Sequence, residues 1–184
     1  MANPTVLVPL AQGCEELEAV TITDLLTRAE FEVVTVGLDA EPVKASRGMV
    51  LMPDKTLDEV MSDYFDLMVL PGGLPGADNL RDDARILQKL RDVTAQGKYV
   101  AAICAAPKVL VEASLLSGKK ITCYPASLDE VDTTNIEVVD EAVVIDGNVV
   151  TSRGPGTAMD FALTLIEILD SKEKREQVEQ GLVR

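Results

Sequence analysis

Cys104 closes the apolar run Tyr99-Val-Ala-Ala-Ile-Cys104 and is followed by Ala105, Ala106 and Pro107. A short strand that meets a cysteine flanked by small residues, and then a helix start, reads as a nucleophile elbow. The turn lifts the side chain out of the sheet and sets it among unpaired helix amides, which favour the thiolate over the thiol. The competing reading is a small, buried, inert thiol at the edge of a core.

Glu18 is the second residue able to do chemistry. Positions 18, 22, 25, 26 and 29 share one side of a helix, so Glu18 lies on the face of Ile22, Leu25, Leu26 and Ala29 that must turn inward. Burial without a cation raises a carboxyl pKa, so Glu18 is expected to be protonated near neutrality and to donate a hydrogen bond to a neighbouring thiolate. Glu15 and Glu16, by contrast, are expected to complement the helix dipole. Gly72 and Gly73 offer backbone amides with no side chain in the way, as an oxyanion hole requires. The run Ser152-Arg-Gly-Pro-Gly-Thr157 opens a helix and forms a candidate pocket wall. Histidine is absent, so Cys-His-Asp and Cys-His-Glu catalysis and a His-ligated metal site are excluded within one chain. No metal site is expected.

These residues need a scaffold, and the chain alternates strand and helix. Strands are predicted over Thr5 to Leu10, Phe31 to Gly37, Asp66 to Leu70 and Lys120 to Cys123, in addition to the strand that ends at Cys104. Helices are predicted over about Glu15 to Ala29, Leu57 to Met61 and Asp82 to Ala95, from the elbow to about Ser114, and from Pro155 and Ser171. Hairpins are predicted around Ser46-Arg47-Gly48 within Val43 to Met52 and at Asp146-Gly147-Asn148. Continuous apolar strands between helices indicate an α/β fold with a mostly parallel sheet covered on both faces. Ligands in such folds sit at the carboxyl ends of the strands, where Gly13-Cys14-Glu15-Glu16, Pro71-Gly72-Gly73 and Cys104 would converge.

A chain of 184 residues, 47% hydrophobic, fits one domain over residues 1–184. Seventeen basic against 31 acidic residues give a net charge of −14, which repels nucleic acid and anionic lipid surfaces. Aromatic content of 3% without Trp leaves no base-stacking platform. No apolar run approaches membrane-spanning length. Three cysteines without a CxxC pair argue against a disulfide framework and for a reducing, cytoplasmic setting.

Gly13-Cys-Glu-Glu-Leu-Glu18, Leu70-Pro-Gly-Gly73, Ala101-Ala-Ile-Cys-Ala105 and Thr151-Ser-Arg-Gly-Pro-Gly-Thr157, in this order and nearly end to end, resemble the ThiJ/PfpI superfamily. The likeness is to its branch of protein deglycase and glyoxalase-like proteins. The resemblance implies a flavodoxin-like sandwich, a homodimer, no cofactor, and Cys104 as nucleophile with Glu18 hydrogen-bonded to its sulfur. It further implies an anion-accepting site lined by the amides of Gly72, Gly73 and Ala105. Arg28 and Arg47 match basic residues near the family's pocket, one of them reaching across the dimer. Two departures stand out: Tyr124 occupies the position of a pocket histidine present in several members, and Ala106 replaces a glycine found in many.

The function expected on these grounds is a cysteine-dependent glyoxalase or deglycase in carbonyl-stress defence. Its partners would be small dicarbonyls such as methylglyoxal or glyoxal, or early glycation adducts on proteins. The alternative is a redox sensor or redox-controlled chaperone working through a Cys104 sulfinate, with Cys14 as a candidate resolving partner.

Overall fold

A computed structural model describes residues 3–184. Seven strands form the central sheet in the order β10-β11-β7-β6-β1-β2-β5. They are β1 (Thr5–Leu10), β2 (Glu32–Gly37), β5 (Lys55–Thr56), β6 (Leu67–Leu70), β7 (Tyr99–Ile103), β10 (Val143–Asp146) and β11 (Val149–Ser152). Every neighbouring pair is parallel except β10 and β11, the antiparallel hairpin at one edge.

Strand residues alternate between two cores, as a pleated backbone demands. Val6, Val8, Leu67, Val69, Ala101, Ile103 and Val150 face α1 (Glu16–Arg28) and α5 (Ala158–Leu169). Leu7, Met68, Leu70, Val100, Ala102 and Val149 face α3 (Ala84–Ala95) and α4 (Pro107–Glu112). The chain departs from β1 toward β2 and β5 on one side, then returns to β6, β7 and β11 on the other. This reversal between β1 and β6 opens a crevice at their carboxyl ends.

Several elements differ from the sequence reading. The helix expected from Asp82 starts at Ala84, because the Asp83 carboxylate caps it by accepting from the Arg85 amide. A separate helix, α2 (Gly76–Asp82), precedes it. The strand expected over Lys120 to Cys123 shortens to β8 (Lys120–Ile121), which pairs with β9 (Glu137–Val138) outside the main sheet. The hairpin of β3 (Val43–Lys44) and β4 (Val50–Leu51) stands around Ser46-Arg47-Gly48 as expected. At the end of the chain, α6 (Lys172–Gly181) is capped by Ser171, whose hydroxyl accepts from the Lys174 amide. Among the described residues, no helix is long and apolar enough to cross a membrane.

Candidate active site

Cys104 sits between β7 and α4 with φ of +63°, a left-handed conformation that costs a residue with a side chain roughly 1–2 kcal/mol. Three backbone bonds hold it there. Its amide donates to Ser152 O at 3.0 Å, its carbonyl accepts from the Tyr124 amide at 2.9 Å, and the Ala106 amide closes the turn on Ile103 O at 3.0 Å. β11 and the 122–124 segment thus over-determine a strained turn, as expected where strain positions a reactive group. The side chain is 8% exposed.

Glu18 arrives from the first turn of α1 on its inward face and is fully buried. Its Oε2 accepts from the Gly72 amide at 2.7 Å. Its Oε1 makes no hydrogen bond among the described residues; the Cys104 thiol is the carboxyl's other polar neighbour, and each group shifts the titration of the other. Burial pushes Glu18 up to about 7, against the stabilising contacts of the Gly72 amide and the thiol.

The expectation that the elbow favours the thiolate is corrected here. Burial first, and then the charge of Glu18, push Cys104 up to about 12; the amides of Gly73 and Ala105 pull the other way without prevailing. The charge contribution disappears when Glu18 holds the proton. The two side chains therefore act as a pair around one shared proton, and moving it from sulfur to carboxylate makes a nucleophile without changing the pair's net charge.

Glycine at 72 is dictated by the packing of this pair. A Cβ there would fall 2.6 Å from Cys104 Cβ and 2.9 Å from Glu18 Oε2. Gly73 has φ of +88°, and a Cβ on it would strike the Glu15 amide nitrogen at 2.4 Å. The predicted anion site is corrected accordingly: the Gly72 amide is already committed to Glu18, so the donors left for an oxyanion are those of Gly73 and Ala105.

The remaining candidates are divided. Tyr124, 50% exposed, lies over the elbow through its amide and packs its ring against Gly154, where an added Cβ would meet Cδ2 at 3.2 Å. Gly154 is itself held by Thr157, whose hydroxyl accepts from the Gly154 amide at 3.1 Å and lies 2.7 Å from the Ser152 hydroxyl. Arg47 stands beside Glu15, with Nε 3.9 Å from Oε2. Arg28 is not brought to the site. It ends α1, ten residues or about 15 Å along the helix from Glu18, and pairs with Asp24 at 2.7 Å on the surface. Cys14 is buried with its thiol pushed up to about 11 by burial and by Glu16, which works against a resolving thiolate.

Sequence reasoning placed the Ser152–Thr157 run as a pocket wall and a hairpin at Ser46-Arg47-Gly48, but missed how they support the site: the bond from the Cys104 amide to Ser152 O and the grip of the Ser46 turn on Glu15 and Glu16. The Cys104–Ser152 and Glu16–Arg47 bonds join residues 48 and 31 positions apart, and no local pattern announces such a bond.

A doubly wound sheet, a strained cysteine at the carboxyl end of β7 and a buried carboxyl from α1 define a flavodoxin-like fold with a nucleophile elbow. The chain belongs to the DJ-1/PfpI family, whose model matches residues 4–168. It is 44% identical over 182 residues to Drosophila melanogaster protein dj-1beta, covering 98% of this chain and 97% of that protein. It is 35% identical to a glutathione-independent glyoxalase of Caenorhabditis elegans, covering 92% and 89%. The crystal structure of Drosophila melanogaster DJ-1beta superposes with a TM-score of 0.95 at 44% identity, covering 99% of this chain and 98% of that one. An oxidized Toxoplasma gondii DJ-1 gives 0.92 at 41%, covering 98% of each.

Proposed function

We propose that this protein is a cofactor-independent glyoxalase or deglycase that acts on small dicarbonyls, or on early glycation adducts, through Cys104. The observation that carries the reading is the buried Glu18 carboxyl shared between the Gly72 amide and the Cys104 thiol, with its pKa raised to about 7. A carboxyl poised near the working pH both accepts and returns a proton efficiently.

With methylglyoxal, Glu18 takes the thiol proton as sulfur bonds to the aldehyde carbon. The carbonyl electron pair moves onto oxygen, which the Gly73 and Ala105 amides hold and which then receives the proton as a hemithioacetal. Glu18 next removes the proton from that carbon to give an enediolate and returns it to the neighbouring carbon, while the hydroxyl proton of the first carbon passes to the second oxygen, leaving a lactoyl thioester. Water cleaves the thioester to lactate and restores the thiol, so the sum is methylglyoxal plus water to lactate. Tyr124 offers a hydroxyl at the mouth in place of an imidazole. The glyoxalase name of the Caenorhabditis elegans relative supports this class of reaction.

Two copies suit the site better than one. Leu17 and Val20 on α1, and Met49, Val50 and Met52 on and beside β4, are exposed apolar side chains, and a second copy is the route by which an Arg28 could reach Cys104. Three unpaired cysteines fit a reducing cytoplasm.

The test is lactate formation from methylglyoxal without glutathione, for the wild type and Cys104→Ala. Lactate that accumulates catalytically and depends on Cys104 is the expected result; none above buffer overturns the enzyme reading. A second reading, a peroxide sensor or redox-controlled chaperone that stores a Cys104 sulfinate, draws on the unpartnered Glu18 Oε1, which when protonated can donate to a sulfinate oxygen. A stable gain of two oxygens at Cys104 in the intact mass after peroxide, without turnover, would favour it.

A further inference from the structure

Thr151 lies in β11, is buried and pairs with Ala102 of β7. Its strand neighbour Val149 packs on the side of Ala102, Ile121 and Cys123, and alternation along the strand puts the Thr151 side chain on that same face. A valine would suit so apolar a face, and a hydroxyl buried there costs stability unless it is bonded. Its partner is the chain that leaves β8: Thr151 Oγ1 accepts from the Thr122 amide at 2.9 Å. Thr122 is fully buried, and its own hydroxyl has no partner among the described residues, so its backbone makes the attachment.

Two residues further on, the Tyr124 amide donates to Cys104 O at 2.9 Å. Residues 122–124 thus form a strap, tied to β11 at one end and to the elbow at the other. The grip has a direction. Cys104 O and the Ala105 N–H belong to one planar peptide unit, which is trans, the one cis bond among the described residues being Leu74–Pro75, so the two groups point opposite ways. Holding the carbonyl toward the strap turns the amide away from it and toward the Cys104 side chain, where, with the Gly73 amide, it favours the charged form of the sulfur. Ser152 O accepts the Cys104 amide at 3.0 Å. Adjacent residues of β11 therefore hold Cys104 from both sides, Ser152 through its carbonyl and Thr151 through the strap.

We infer that Thr151 is a positioning residue: its hydroxyl anchors the 122–124 strap, and the strap orients the Cys104–Ala105 peptide so that the Ala105 amide faces the sulfur and the oxygen of a carbonyl under attack. The part that concerns a carbonyl oxygen rests on the function proposed above. The effect on the sulfur can be read without turnover.

Thr151→Val keeps the shape and removes the acceptor, and two measurements are made on it. One is exchange of the Tyr124 amide proton with deuterium, followed by NMR; the other is alkylation of Cys104 by iodoacetamide, followed on its peptide by mass spectrometry. The Tyr124 amide should exchange about tenfold faster. Cys104 should alkylate about fivefold more slowly, by the same factor at every pH between about 7 and 9, because the thiolate has lost a donor. Thr151→Ser, which keeps the hydroxyl, should return both to near the wild-type values. A merely structural role gives the opposite sign: loosening the fold exposes the buried thiols and speeds alkylation of Cys104 and Cys14 together. Cys104 alkylation that is unchanged or faster in Thr151→Val, that slows without any gain in Tyr124 exchange, or that serine does not restore overturns the inference. Lactate formation, measured separately, should show a lower kcat at nearly constant KM. If the wild type makes no lactate, the enzyme reading falls while the alkylation result still decides the role of Thr151.

Discussion

Two buried charged groups lie on opposite faces of the sheet, and their fates differ. Lys89 of α3 is 3% exposed, and its Nζ donates to the carbonyls of Val60, Met61 and Asp63 at 3.1, 3.0 and 2.6 Å while lying 5.2 Å from the centre of the Phe65 ring. Each of its three protons has an acceptor, and the group ties α3 to the loop before β6. Glu18 is equally deep, yet one of its oxygens accepts from the Gly72 amide and the other has no hydrogen-bond partner among the described residues. A fully partnered buried charge fixes structure; a half-partnered one retains the capacity to move a proton.

The largest effect that tests this contrast is on turnover. Cys104→Ala should reduce lactate formation to the buffer rate while leaving the thermal midpoint close to wild type, because a small side chain replaces a small one. Glu18→Gln keeps the shape and the acceptor for Gly72 but cannot accept a proton, so turnover should fall roughly 100-fold or more. If Glu18→Gln retained full activity, the half-partnered carboxyl would be structural and the comparison would collapse.

The same variant sharpens the contrast through stability. The folded-state value of about 7 lies above the ordinary 4.5, so the native protein binds a proton that the unfolded chain releases between them. Stability from this group is full below about pH 4.5 and is lost as pH rises through about 7. Glu18→Gln removes that loss, and in urea denaturation it should stabilise the protein by about 3 kcal/mol near pH 8 and leave it unchanged near pH 4. Lys89→Met should do the reverse. It removes the donor to three carbonyls, of which Val60 O keeps the Asp63 amide, and should cost about 1–3 kcal/mol, with activity per folded molecule unaltered.

The candidate residues Cys104 and Glu18, which the structure brings together, were legible in the sequence because their signals are local. The elbow spacing around Cys104 and the helical phase of Glu18 each need only a few neighbouring positions. The parallel sheet followed from apolar runs between helices. At the site, where the sequence reading failed, the deciding partner lies far along the chain. The amide of Gly72 is consumed by a carboxyl 54 positions away, and Glu16 is claimed by a turn 31 positions away. Thiol activation was misjudged for a related reason: the elbow amides are local, but burial and the charge of Glu18, which outweigh them, are products of tertiary packing.

Arg28 gives the smallest expected effect and the finest test of where the site ends. Its ion pair with Asp24 is half exposed on both sides, and exposed pairs at this helical spacing contribute about 0.3–0.5 kcal/mol, so Arg28→Ala should barely move the thermal midpoint. Lying at the far end of α1 from Glu18, it has no route to Cys104 within its own chain. Turnover measured at protein concentrations where the chain runs as a single copy on gel filtration should therefore be unchanged in Arg28→Ala. If two copies complete the site, a severalfold rise in KM should emerge only at concentrations where the dimer forms, with kcat nearly constant. An effect of equal size in the single copy would place Arg28 within reach of its own Cys104, and the division between a self-contained proton-sharing pair and a borrowed recognition residue would have to be redrawn.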